Sequence, residues 1–91
     1  MVIRKNRSDV TFVFRPERPV KDVAVVGSFN GWDPEQGRMA QTKGEFRRRF
    51  KLQPGNYEYK FVVDGEWRTD PDASQTVRNS FGSDNSLLQL A

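Results

Sequence analysis

Tyr57-Glu58-Tyr59-Lys60-Phe61-Val62-Val63-Asp64-Gly65-Glu66-Trp67 is the stretch that decides the fold. In an extended chain Tyr57, Tyr59, Phe61 and Val63 face one way and Glu58 and Lys60 the other, the alternation of a half-buried strand. Asp64-Gly65 is a strong hairpin signal, because a type I′ turn needs φ > 0 at both of its central residues. Glu66 to Thr69 reads as the returning strand, and Asp70-Pro71-Asp72 ends it.

Upstream, Pro54-Gly55-Asn56 is a turn that feeds this hairpin. Phe46 to Leu52 reads as a strand with Phe46, Phe50 and Leu52 inward. Arg48 shares their parity, so its charged head has to snorkel out at an edge. Lys43-Gly44 turns the chain, and Arg38 to Thr42 is a short strand. Val20 to Ser28 contains the apolar run Val23-Ala24-Val25-Val26, which suits a strand buried in a sheet core. Asn30-Gly31 then bends the chain and Pro34 blocks its continuation, leaving Trp32 and Asp33 just past the end of that strand. Val10 to Phe14 is the first strand, with Val10, Phe12 and Phe14 on one face, and Pro16 and Pro19 keep the following connection out of the sheet. At the other end a polar loop runs to Asn85, and Ser86 to Leu90 closes the chain with Leu88 and Leu90 inward.

About seven short strands at roughly 8–12-residue spacing predict an all-β fold, an immunoglobulin-like antiparallel β-sandwich. The 91 residues make a single domain over 1–91, with 1–8 expected as a loose N-terminal arm. A chain of this size holds one core and is too small for an elaborate enclosed active site. Charged residues at 30% against hydrophobic residues at 35% argue for a soluble, ordered domain. No run of about 18 apolar residues exists to span a membrane, and the basic N-terminus lacks the apolar stretch of a signal peptide. Without cysteine there are no disulfides or thiolate metal sites, which agrees with a reducing compartment; the expected location is cytoplasmic. Without histidine there is no imidazole base, His-containing triad or common zinc site. The net charge of +3 is a mild excess that serves solubility.

Trp32 past its bend, Lys60 on the outward face of its strand and Trp67 beyond the hairpin make a candidate ligand surface. Trp67 pairs back toward the neighbourhood of Lys60. Hairpin register alone leaves open whether Trp32 joins them, since a tryptophan in such a loop also serves to cap a core. The chemistry of this set suits a sugar. A pyranose has an apolar C–H face that an indole covers, and a rim of hydroxyls that Lys, Asn or Asp side chains bind.

Gly27-Ser28-Phe29-Asn30-Gly31-Trp32, then Leu52 to Trp67, then Asp70-Pro71, Gly82 and Asn85-Ser86-Leu87-Leu88-Gln89-Leu90 together resemble the family-48 carbohydrate-binding module. This is the glycogen-binding, early set domain found in the β subunit of AMP-activated protein kinase. It also precedes the catalytic domain in isoamylases, pullulanases and glycogen branching enzymes. The resemblance spans about Val10 to Leu90, and its specificity lies in the ordered series of motifs. It implies a non-catalytic module that binds α-1,4-glucan (glycogen, starch, maltooligosaccharide or β-cyclodextrin) without a cofactor. It also implies a glycoside hydrolase family 13 type enzyme as the kind of protein partner. By the same resemblance Trp32 and Trp67 stack on glucose rings, Lys60 and Asn85 hydrogen-bond hydroxyls, Phe81 threads against a cyclic or helical glucan, and Ser83 adds a polar contact.

Other chemistries find less in the residues. Asp33 with Glu35, or Asp70 with Asp72, offers a carboxylate pair for glycoside cleavage, but nothing encloses them and Asp-Pro is an ordinary turn former. Asp70, Asp72 and Asp84 lack the spacing of a calcium loop. Arg47-Arg48-Arg49 with Lys51 would meet phosphates, yet alternation sends Phe46 and Phe50 into the core and away from any base, so no nucleic-acid partner is expected. The alternative function is a protein-interaction module that docks a glucan-active enzyme or kinase through its edge strands or the Arg47–Lys51 face, with little sugar binding.

Overall fold

The computed structural model describes residues 1–4 and 8–90. Its strands are β1 (Val2–Arg4), β2 (Asp9–Phe14), β3 (Val23–Gly27), β4 (Ala40–Thr42), β5 (Glu45–Lys51), β6 (Gly55–Val63), β7 (Glu66–Arg68), β8 (Thr76–Arg78) and β9 (Asp84–Leu90), with a 3-10 turn at Pro34–Gln36. One sheet has the order β1-β2-β5-β4; the other has β3-β6-β9-β8, with β7 also paired to β6. Every pairing is antiparallel. The architecture is the expected all-β sandwich, built from nine strands among the described residues rather than the predicted seven or so.

The extra strands are too short to announce themselves. Val2–Arg4 pairs with β2, placing Val2 opposite Phe12 and Ile3 opposite Thr11, where a loose arm over 1–8 was expected. Residues 5–7 of that arm lie outside the described residues. Thr76–Arg78 carries a single apolar residue, Val77, and becomes a strand because β9 offers it a ladder. For the same reason β9 begins at Asp84, so Asn85 is a strand residue and not the end of a loop. Conversely, β3 begins only at Val23. The N–H groups of Lys21 and Asp22 donate to Asp64 Oδ1 at 3.0 and 2.8 Å instead of entering a ladder.

The core lies between the sheets. Val10, Phe12 and Phe14 of β2 meet Val23 and Val25 of β3 and Tyr59, Phe61 and Val63 of β6. Phe12 sits 5.2 Å from Phe29 and 5.0 Å from Tyr59, centroid to centroid, and Phe14 sits 5.2 Å from Phe61. Phe29 thus plugs the core from the bend after β3. The Asp64-Gly65 turn has φ of 49° and 84°, as a type I′ hairpin requires, and Val63 lies opposite Glu66. Lys43-Gly44 repeats the device, with φ of 47° and 82°. Arg48 is exposed, its guanidinium 5.1 Å from the Phe50 ring centroid, so the head escapes while the ring stays at the core.

One buried carboxylate ties the sheets together. Asp70 Oδ2 accepts from the Tyr59 hydroxyl at 2.5 Å and from the Met1 nitrogen at 2.6 Å, and Oδ1 accepts from Asp72 N at 2.9 Å. Burial, reinforced by the neighbouring Asp70 carboxylate, pushes the Tyr59 hydroxyl far above its ordinary pKa, so it stays a donor. Removing that donor leaves a buried acceptor short of a partner, which costs about 1–3 kcal/mol. Tyr59→Phe is therefore expected to lower the free energy of unfolding by that amount, read from the urea midpoint, with an unchanged far-ultraviolet spectrum.

Candidate functional site

The bend after β3 is held by its own backbone. Gly27 O accepts from Asn30 N at 3.1 Å and Trp32 N at 3.0 Å. The Asn30 side chain clips the strand end, accepting from Gly27 N at 3.0 Å and donating to Val25 O at 3.1 Å. Gly31 and Trp32 both adopt left-handed φ, 67° and 60°. For tryptophan this is an unfavourable conformation that the surrounding bonds sustain. The indole comes to rest on Ala24, Val26 and Val62, the outer face of the second sheet. This explains why the valine run of β3 is apolar at every position: Val23 and Val25 face the core, while Ala24 and Val26 lie under Trp32.

β6 and β7 supply the next part. Trp67 lies opposite Val62, and its ring is 6.4 Å from that of Trp32 with 22° between the planes. The pair forms a near-parallel aromatic platform, with Trp67 47% exposed. Lys60 leaves the outer face as alternation predicts, yet it is only 6% exposed. Its Nζ donates to Ser83 Oγ at 3.1 Å.

The third part is the loop between β8 and β9, organised by Asn79. Asn79 Oδ1 accepts from Phe81 N at 2.9 Å and Ser83 N at 3.2 Å. Its Nδ2 donates to Ser83 Oγ at 2.8 Å and to Asn85 Oδ1 at 3.0 Å. Asn85 in turn donates to Glu58 Oε1 at 3.1 Å. Phe81 stands at the loop tip, 93% exposed.

These three parts enclose a cleft of about 590 Å³, and Trp32, Lys60, Trp67, Phe81, Ser83 and Asn85 all line it. The six residues that the resemblance implies for the sugar surface therefore converge on one place. Asn79 and Ser80 also line it and were missed. The only signal for Asn79 was an Asx-turn composition, Asn79-Ser80-Phe81-Gly82. Three of the four carboxylates considered for catalysis have other partners. Asp33 Oδ1 caps the 3-10 turn by accepting from Glu35 N at 3.0 Å, Glu35 pairs with Arg38 at 3.5 Å, and Asp70 is committed to Tyr59.

The two-sheet sandwich carries an aromatic platform beside buried polar side chains on one outer face, and its match to a known family gives the class, a carbohydrate-binding module. The chain belongs to the family described as the glycogen recognition site of AMP-activated protein kinase, whose model matches residues 10–91. It is 40% identical over 72 residues to Protein FLOURY ENDOSPERM 6, chloroplastic, of Oryza sativa subsp. japonica, a match covering 79% of this chain and 13% of that protein. It is 33% identical over 78 residues to the 5'-AMP-activated protein kinase subunit beta-1 of Sus scrofa, covering 86% of this chain and 62% of that one. Among solved structures, maltogenic amylase from S. marinus superposes with a TM-score of 0.76 at 27% identity, over 97% of this chain and 14% of the amylase. The chain thus spans about an eighth of the length of the rice protein and less than two thirds of the kinase subunit.

The hydrogen bonds of Asn79 make a prediction independent of any ligand. Asn79→Ala is expected to speed amide exchange at Phe81 and Ser83 by roughly tenfold, on the scale of one or two lost hydrogen bonds. Exchange in β6 should stay unchanged.

Proposed function

We propose that this chain is a non-catalytic α-glucan-binding module that stacks glucosyl rings on Trp32 and Trp67. The observation that carries this reading is the convergence of six residues from three separate segments of the chain, two of them near-parallel indoles, on one cleft. Lys60 has donor capacity beyond its bond to Ser83, and Asn85 retains an N–H and a lone pair, so both have groups to offer sugar hydroxyls. Their burial lowers the cost of binding, because side chains already held in place lose little freedom. Phe81 at the loop tip supplies an apolar edge for the inner surface of a cyclic or helical glucan. Ser83 serves chiefly to hold Lys60.

Each indole contributes roughly 1–2 kcal/mol by area and each hydrogen bond about 0.5–1.5 kcal/mol. Against these stands an association cost of at least about 4 kcal/mol. Two indoles and two hydrogen bonds at the favourable end leave about 3 kcal/mol, millimolar binding for a short oligosaccharide, and further contacts along a longer glucan tighten it. In a longer chain such a module brings a glucan-active catalytic domain, of the glycoside hydrolase family 13 type, to its polymer.

The test is a titration with maltoheptaose and β-cyclodextrin, followed by tryptophan emission, with cellohexaose as the control. Saturation by the two α-glucans and silence with cellohexaose is the expected result. No response up to several millimolar α-glucan would remove the reading. Trp67→Ala should weaken binding at least about tenfold with little change in stability, as for one lost indole contact. Trp32→Ala should weaken it similarly but also cost roughly 1–2 kcal/mol of stability, because it uncovers Val26 and Val62. Lys60→Ala should cost about 1 kcal/mol of binding or somewhat more.

A further inference from the structure

Trp67 borders a second depression. On the side away from the late loop, the same indole lines a groove of about 390 Å³ whose rim carries Lys21, Asp22, Glu35 and Arg38 and whose floor includes Val62. This volume falls within the range of small-ligand sites, roughly 300–1,000 Å³. The rim is held in place from below. Asp64 Oδ1 captures the N–H groups of Lys21 and Asp22. Gly37 packs so closely on β3 that a Cβ there would lie 1.8 Å from Val25 O, which fixes the segment carrying Glu35 and Arg38.

The rim's formal charges cancel, two basic against two acidic. It presents carboxylate acceptors together with ammonium and guanidinium donors and no net charge to select an ion. A neutral polyol meets that pattern, since each hydroxyl both donates and accepts. The Glu35–Arg38 pair spans 3.5 Å with side chains 74% and 68% exposed. Exposed pairs of this kind contribute little to stability, so the two side chains are free to exchange each other for a ligand.

We infer that this groove is an additional glucosyl subsite, occupied when an α-glucan in the cleft extends across Trp67. The inference rests on the glucan-binding reading above and adds to it: the module recognises a chain longer than the cleft alone holds. Maltotriose and maltoheptaose are titrated into the wild-type chain and the Lys21→Ala/Arg38→Ala double variant, with backbone amide shifts recorded at Asp22 and Gly65. In the wild type the affinity should rise about tenfold from the short to the long sugar, and in the double variant about threefold or less, with maltotriose binding equal in both. The Asp22 and Gly65 amides should move with maltoheptaose and stay still with maltotriose. Equal chain-length gains in both proteins, with those amides unmoved by maltoheptaose, would overturn the subsite while leaving the cleft intact. Absence of binding to either sugar would overturn the subsite together with the reading beneath it.

Discussion

β6 is constrained from both sides, and the rest of the molecule depends on that. Tyr59, Phe61 and Val63 enter the sandwich against Phe12 and Phe14, while Lys60 and Val62 lie on the opposite face, Val62 under Trp32 and Lys60 beside it in the cleft. Along its edges the strand pairs with β3 on one side and with β9 and then β7 on the other. A one-residue slip would drive Lys60 into a core of phenylalanines and lift Tyr59 from Asp70, so the register has no tolerable alternative. The packing that stabilises the fold is therefore the same packing that aims Lys60.

Polar groups carry this order from the core to the site. Asp70 N donates to Ser86 Oγ at 2.9 Å and Thr69 Oγ1 donates to Asp84 O at 2.6 Å, which fastens the end of the β7 arm to the start of β9. Trp67 lies on that arm and Asn85 on that strand. Asn85 then reaches Glu58 and Asn79, and Asn79 shapes the loop that carries Phe81. Asp70, Ser86 and Asn85 are the buried members of this chain, and hydrogen bonds that satisfy buried groups rigidify what they connect.

The legibility of the sequence followed the range of the forces involved. The β6–β7 hairpin, the bend at Asn30-Gly31 and the inward set Val10, Phe12, Phe14, Phe46 and Leu90 were readable, because alternation and turn chemistry act between near neighbours. β1 and β8 were not, because three residues hold no period and their strand state comes from a partner's open edge. Asn85 was recognised by its motif but placed at a loop end, since a strand that begins with polar residues shows no hydrophobic onset.

By itself the sequence determined the β class, the position of the main hairpin, the residues that face inward and the identity of the candidate ligand-facing side chains. The first three are written in local spacing and residue type; of the side chains, Trp32, Lys60 and Trp67 stood out by position, and Phe81, Ser83 and Asn85 by resemblance to a family. Only the tertiary structure decided that Trp32 lies beside Trp67 at 6.4 Å, that Lys60 is buried against Ser83, and that Asn79 holds the loop between them. The first two join residues far apart in the chain, Trp32 with Trp67 and Lys60 with Ser83, and they arise from two sheets closing on a shared core, which no local pattern encodes.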